Sequence, residues 1–232
     1  MSRLRTLLCL SLLTLTLPAC GRGLTAPEQA FLATLHGDTL DMTKMRLHDG
    51  LARGAPMPVP PRPRVTCQDR LYPPRDKTGY GHPGAMALFQ HVYIRPELYR
   101  DDLALRRIEG RAVPDLADAM LLAHEATHVW QWQNRTLTGY HPLKAALEHA
   151  GSSDPYLFNP ETQGDFLAYG YEQQGAIVEE FVCCRTLAPD APRTERLYRM
   201  ISAVMPVRRY DDLAQDGLLL PWEGVTVAGI CD

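Results

Sequence analysis

The amino-acid sequence predicts an α+β protein, mostly helical, with a small sheet or edge strand beside one long helix. Two stretches carry the helical part: Val113 to Asn134 and Phe166 to Leu187 both repeat apolar residues at helical spacing. The strand signal is clearest in Ala85 to Ile94, where Ala87, Phe89, His91 and Tyr93 fall on one face. Leu88, Val92 and Ile94 fall on the other face, and Pro96 ends the stretch. At 232 residues the chain is long enough for one domain with a substantial core.

The remaining elements follow in order. Residues 1–20 read as a secretory leader, with Arg3 and Arg5 before the apolar run Leu7 to Leu17. That run is too short for an ordinary membrane span. Pro27 to Leu35 is expected to be helical, with Phe31, Leu32 and Leu35 on one side. Leu40, Met42 and Met45 fit either a strand or another helical turn. Five prolines between Gly54 and Arg64 force an extended or polyproline-like path, and Arg70 to Gly84 reads as loop. Leu103 to Ile108 is expected as a short helix, and Val113-Pro114 as the opening of the long one. Thr138-Gly139 lies just past its end, where a helix stop belongs. Pro142 to His149 is a short helix, followed by a polar loop from Gly151 to Gln163. A break near Gly170 is expected in the second long helix, and Arg193 to Val204 forms a third. The expected organisation is a leader (1–20), an N-terminal helix with a proline-rich wrapping segment (21–84), a core (85–187), and a C-terminal helix and tail (188–232).

Charge and cysteines bound the setting. The leader carries two arginines and no acid, so without it 22 Lys+Arg face 27 Asp+Glu. No basic run points to nucleic acid, and an acidic body argues against electrostatic attachment to a membrane. The leader ends in Leu17-Pro18-Ala19-Cys20-Gly21, which resembles a bacterial lipobox. The resemblance implies cleavage before Cys20 and lipid attachment to its sulfur; cleavage near Ala19 is the alternative. The implied location is the periplasmic side of the envelope, as an outer-membrane lipoprotein. Four further cysteines remain: Cys67, Cys183, Cys184 and Cys231. An even number in an oxidising compartment favours disulfides. Cys183 and Cys184 are adjacent in a helix and point about 100° apart, so each is expected to pair with Cys67 or Cys231 rather than with its neighbour.

His124-Glu125-Ala126-Thr127-His128 lies inside the long helix. Residues four apart share one helix face, so both imidazoles can reach one metal ion while Glu125 stands beside it. Two neutral nitrogens and a neighbouring carboxylate suit zinc and an activated water. A third protein ligand is needed, and no histidine follows at the spacing that would extend the pentapeptide. Glu172 is the leading candidate, since Gly175 and Ala176 lie on its helix face and let two helices approach closely. Glu148, Glu161, Asp165 and Glu180 are its rivals, and Glu179 could hydrogen-bond a ligand imidazole.

Together, His124-Glu125-Ala126-Thr127-His128-Val129-Trp130-Gln131 and Glu172-Gln173-Gln174-Gly175-Ala176-Ile177-Val178-Glu179 resemble gluzincin-type zinc metallopeptidases. The nearest pattern is that of bacterial chains with H-E-x-x-H-V-x-Q and a later E-Q-Q-[AG]. The resemblance spans about residues 85 to 182. It implies a zincin-like fold, with zinc held by His124, His128 and Glu172 and with Glu125 as general base. The implied reaction is hydrolysis of a peptide or protein substrate by a zinc-activated water. Many gluzincins place an aspartate four residues after the ligand glutamate; here that position is Ala176. The resemblance also implies that the strand before the metal helix offers its edge to an extended substrate. Tyr140 and His141 are the leading oxyanion donors, with Tyr156, Tyr169 and Tyr171 also available. The rival functional reading is a non-catalytic envelope lipoprotein of the same fold, acting as a binding or assembly module. A cell-wall peptide hydrolase differs from the first reading only in substrate.

Overall fold

The structure, a computed structural model, describes residues 21–54, 56–62, 65–152, 154–161, 164–210 and 217–232. The leader, the lipobox and Cys20 lie outside the described residues. The fold is mixed, with seven α-helices and three small sheets among the described residues. None of these helices is long and apolar enough to cross a membrane.

Helix α1 (Ala26–His36) starts where its chemistry dictates. Thr25 accepts from the Glu28 backbone N–H, the Glu28 carboxylate accepts from the Thr25 N–H, and Pro27 occupies the first turn. Strand β1 (Arg46–Asp49) follows, with Met42–Lys44 forming a 3-10 turn before it. The proline-rich segment contains β2 (Met57–Val59), which pairs antiparallel with β3 (Gly79–Gly81); the sequence had suggested neither strand. Between them lies the short helix α2 (Cys67–Arg70).

The expected ten-residue strand is in fact a hairpin, β4 (Ala85–Leu88) and β5 (His91–Ile94). The chain reverses at Phe89, whose φ of 57° is unusual for an aromatic residue. Its ring packs edge-on against Trp132 with centroids 4.7 Å apart, a contact that helps hold the turn. Strand β5 lies in the middle of the order β1-β5-β4, parallel to β1 and antiparallel to β4, which leaves β4 at an edge.

The expected short helix at Leu103 to Ile108 is also a strand. It forms β6 (Leu105–Ile108), paired with β7 (Arg111–Pro114). Glu109 and Gly110 both have positive φ, as a two-residue hairpin turn demands. Val113-Pro114 therefore closes a strand, and α3 (Leu116–Gln133) begins after Asp115, whose side chain accepts from the Asp118 N–H. After α4 (Arg135–Thr138), Gly139 takes a left-handed conformation and stops the helix. Then come α5 (Pro142–Gly151), α6 (Tyr171–Leu187) and α7 (Pro192–Ser202). The break near Gly170 is real: Phe166–Ala168 is a separate 3-10 turn and α6 starts at Tyr171.

Helices α3 and α6 pack through small residues, including Ala119, Ala123, Ala126 and Ala176, all buried. Trp130, Phe166 and Phe181 fill the space around them, and Phe31, Leu32 and Leu35 of α1 join the same core. Disulfides join Cys67 to Cys183 and Cys184 to Cys231. Leu219, in the tail, donates to Pro114 O (2.8 Å) and accepts from the Leu116 N–H (3.1 Å), pinning the tail over the start of α3.

Candidate metal centre

The α3–α6 contact brings His124, His128 and Glu172 together, all buried. Their facing atoms form a nearly equilateral triangle. His124 Nε2 and His128 Nε2 are 3.1 Å apart, and each is 3.3 Å from Glu172 Oε2. Atoms that each lie about 2.0–2.1 Å from one tetrahedral zinc ion are roughly 3.3–3.4 Å apart, so the spacing fits such an ion.

The hydrogen bonds around the triangle fix which nitrogen is available. Gln131 donates its amide to Tyr171 O (3.1 Å) and Gln174 Oε1 (2.9 Å), so its Oε1 must be the atom facing His128 Nδ1 at 2.8 Å. That oxygen only accepts, and the proton of His128 therefore sits on Nδ1. Glu179 Oε2 faces His124 Nδ1 at 3.5 Å and holds the same tautomer there. Both Nε2 atoms then present lone pairs towards a carboxylate oxygen. Three acceptors converging in a buried place repel one another unless a metal ion or a proton lies between them. The donor set, two imidazoles and one carboxylate, fits zinc.

The same convergence also attracts protons, which compete with a metal ion for the Nε2 lone pairs. Burial alone disfavours a charged His124, but Glu179 and Glu172 outweigh it and hold its pKa well above the ordinary value. His128 is raised in the same way, burial being overcome by Glu172. Burial likewise disfavours charge on Glu172, yet His128 and His124 hold its carboxyl well below the usual range.

Glycine at position 175 makes this geometry possible. A Cβ there would lie 2.7 Å from His124 Cε1 and 2.8 Å from Nε2, inside van der Waals contact. The start of α6 is set by Glu148, whose two carboxylate oxygens accept from the Tyr171 and Glu172 N–H groups (2.9 and 3.0 Å). Glu148 is thus a helix cap rather than a third ligand. The other rivals are also engaged elsewhere. Glu161 pairs with Arg193 and Arg196, Asp165 caps the 3-10 turn, and buried Glu180 binds Arg193 and the Cys67 N–H. Glu179, one turn beyond Ala176, faces His124 in the absence of an aspartate at 176.

Glu125 is buried, with Oε2 lacking a hydrogen-bond partner among the described residues, and it lines both cavities that meet at the triangle. Burial raises its pKa, while His124 and His128 pull the other way. Of the two leading oxyanion donors, Tyr140 lines the larger cavity and its ring lies 5.9 Å from that of His128. His141 lines neither cavity; its Nδ1 accepts from the Leu143 N–H and caps α5, because Pro142 opens that helix directly after it. Tyr156 was one of several tyrosines in the sequence with nothing to single it out. It lines both cavities, with its ring 5.7 Å from that of His124.

His149 carried no signal in the sequence. Its Nε2 lies 3.1 Å from Glu172 Oε1, the oxygen turned away from the two α3 histidines. This contact depends on how α5 crosses α6, which no local spacing encodes. Gln131 ends the H-E-x-x-H-V-x-Q pattern one turn after His128, a spacing that by itself places it beside that ring.

Neither a family model nor a curated protein matches the chain. Among solved structures it is similar to the effector domain of Pseudomonas aeruginosa VgrG2b, with 25% identity over 84% of this chain and 89% of that one, at a TM-score of 0.48.

Proposed function

We propose that this chain is an exported, zinc-dependent peptidase of zincin-like fold, hydrolysing peptide bonds in a peptide or protein substrate. One observation carries the reading: three buried acceptor atoms converge at 3.1–3.3 Å, and the unpartnered carboxylate oxygen of Glu125 lies in the cavities that open beside them. Zinc, held by His124, His128 and Glu172, would supply Lewis acidity towards a carbonyl and a water molecule. Glu125 takes the proton of the attacking water and passes it to the leaving amine; the rise that burial gives its pKa suits a group that must first accept and then donate. The phenols of Tyr140 and Tyr156 are pushed up by burial, stay protonated at neutral pH, and can donate to a developing oxyanion. The edge of β4, which no described strand covers, borders the same cleft and offers backbone groups to an extended peptide. Two disulfides fit an oxidising compartment, in keeping with export and a lipid anchor at Cys20 on the periplasmic side of the envelope.

The test is Glu125→Gln. Hydrolysis of a casein or peptide pool is expected to fall by about 10²–10⁴-fold while zinc stoichiometry stays at the parent value. Unchanged hydrolysis at equal zinc content would refute the assigned base.

A further inference from the structure

Two cavities meet at the metal-centre residues and form one cleft. The larger, about 550 Å³, extends past His128 and Tyr140 between Leu51, Met86, Leu88, Leu143 and Ala146. The smaller, about 350 Å³, runs the other way and carries Arg62, Gln68, Asp69, Asp154 and Glu179 on its walls. Ala85, Glu125 and Tyr156 line both. The cleft is therefore almost wholly apolar on one side of Glu125 and mixed on the other, where charged side chains stand among Val59, Tyr72 and Leu121.

Burial around the apolar side departs from the usual pattern. Met86, Leu88 and Leu143, all on its walls, are 48%, 38% and 70% exposed. Large apolar side chains left uncovered around a concave space mark a surface that something apolar completes.

The direction of β4 says which part of a substrate that is. Ala85 lines both cavities, whereas Met86, Ala87 and Leu88 line the larger one alone. A peptide added antiparallel to the β4 edge, the more stable pairing, runs from the Leu88 end towards Ala85. Its residues before the scissile bond then lie beside Met86 to Leu88, over the apolar cavity. Its residues after the bond lie along the smaller, mixed one.

We infer that the larger cavity is a specificity subsite for a large apolar side chain, Leu, Met or Phe, within the two residues preceding the scissile bond. The inference rests on the hydrolytic reading for its sense of direction, and on the cavity itself for its chemistry.

Two measurements on the zinc-loaded protein test it. In the first, a pool of peptides with randomised positions around the cut is digested and the cleavage sites are sequenced. Leu, Met and Phe are expected before the cut, and replacing them with Lys or Asp should lower kcat/KM roughly tenfold to a hundredfold. Ala146→Trp, which fills the cavity from an exposed position on α5, should shift the preference to Gly and Ala. In the second, labelled peptides carrying Leu or Lys at that position are bound to Glu125→Gln and followed by fluorescence anisotropy. Cleavage without an apolar preference, or with one only after the cut, would overturn the inference and leave hydrolysis standing. Tighter binding of the Leu peptide with no cleavage by the parent would keep the apolar subsite and remove the hydrolytic reading. Neither cleavage nor discrimination would remove both.

Discussion

At position 175 a single methyl group would collide with the His124 ring. Alanine is the better helix former by about 1 kcal/mol, so helix content gives no reason for glycine here. The reason is the His124 ring, 2.7 Å from where a Cβ would stand. Gly175→Ala is expected to leave the far-UV circular dichroism unchanged and to weaken zinc binding at least tenfold in a chelator competition. Parent-like affinity would mean that the ring moves aside at little cost. Gln131 acts through hydrogen bonding instead. Gln131→Ala removes the acceptor of His128 Nδ1 and should weaken zinc binding about 10–100-fold, whereas Gln131→Glu, which keeps that acceptor but loses the amide's bonds to Tyr171 O and Gln174 Oε1, should recover part of it. Equal affinities for the two variants would show that packing rather than the hydrogen bond orients His128. At this scale the sequence was informative where chemistry repeats locally. The two histidines of the pentapeptide share one helix face and could be read directly, and small residues beside Glu172 marked the approach of two helices. His149 was opaque because its contact with Glu172 joins two helices whose crossing is a tertiary matter.

Among the elements, the long helices were legible and the strands were harder to read. Periodicity sustained over four or five turns outweighs local noise, and α3 and α6 lie within the stretches that carried it. The strands here span three or four residues, too few for alternation to compete with a turn. Leu103 to Ile108 illustrates the failure: six residues fit either period, and the deciding feature was Glu109-Gly110, which supplies the two positive φ angles of a hairpin. Phe89 misled for the opposite reason, since no glycine or asparagine announced its turn. The start of α6 shows an element fixed from outside itself. Glu148 caps it across a gap in sequence, so Glu148→Ala should remove about 1 kcal/mol of stability. In a chain of this size that corresponds to a Tm lower by about 2–4 °C, measured by calorimetry. An unchanged Tm would mean that solvent or a neighbouring group satisfies the two N–H groups equally well.

For the molecule as a whole, His36 supplies a pH dependence that does not involve the metal centre. Its side chain is fully buried, and neither ring nitrogen has a hydrogen-bond partner among the described residues. Burial, with the nearby Arg185 cation adding to it, lowers its pKa from 6.5 to about 3. The unfolded chain therefore takes up a proton below about pH 6.5 that the folded chain refuses until about pH 3. The contribution of this group to stability is complete above pH 6.5 and is lost progressively as the pH falls from 6.5 towards 3. Urea unfolding of His36→Leu at a series of pH values should show a shallower decline over that window than the parent. Parallel curves would assign the acid sensitivity to other groups.

The two disulfides meet on neighbouring residues of one helix, and this has a mechanical consequence. Cys67 is bonded to Cys183, Cys184 to Cys231, and a single peptide bond joins the middle two. A pull applied between a tethered N-terminal arm and a partner gripping the C-terminus would travel through that short covalent bridge. It would bypass the chain between Cys67 and Cys183, which are 116 positions apart in sequence, including all of α3. Tension between the ends therefore loads the two sulfur bridges and the bond between Cys183 and Cys184, while the span holding His124 and His128 hangs slack beside the line of force.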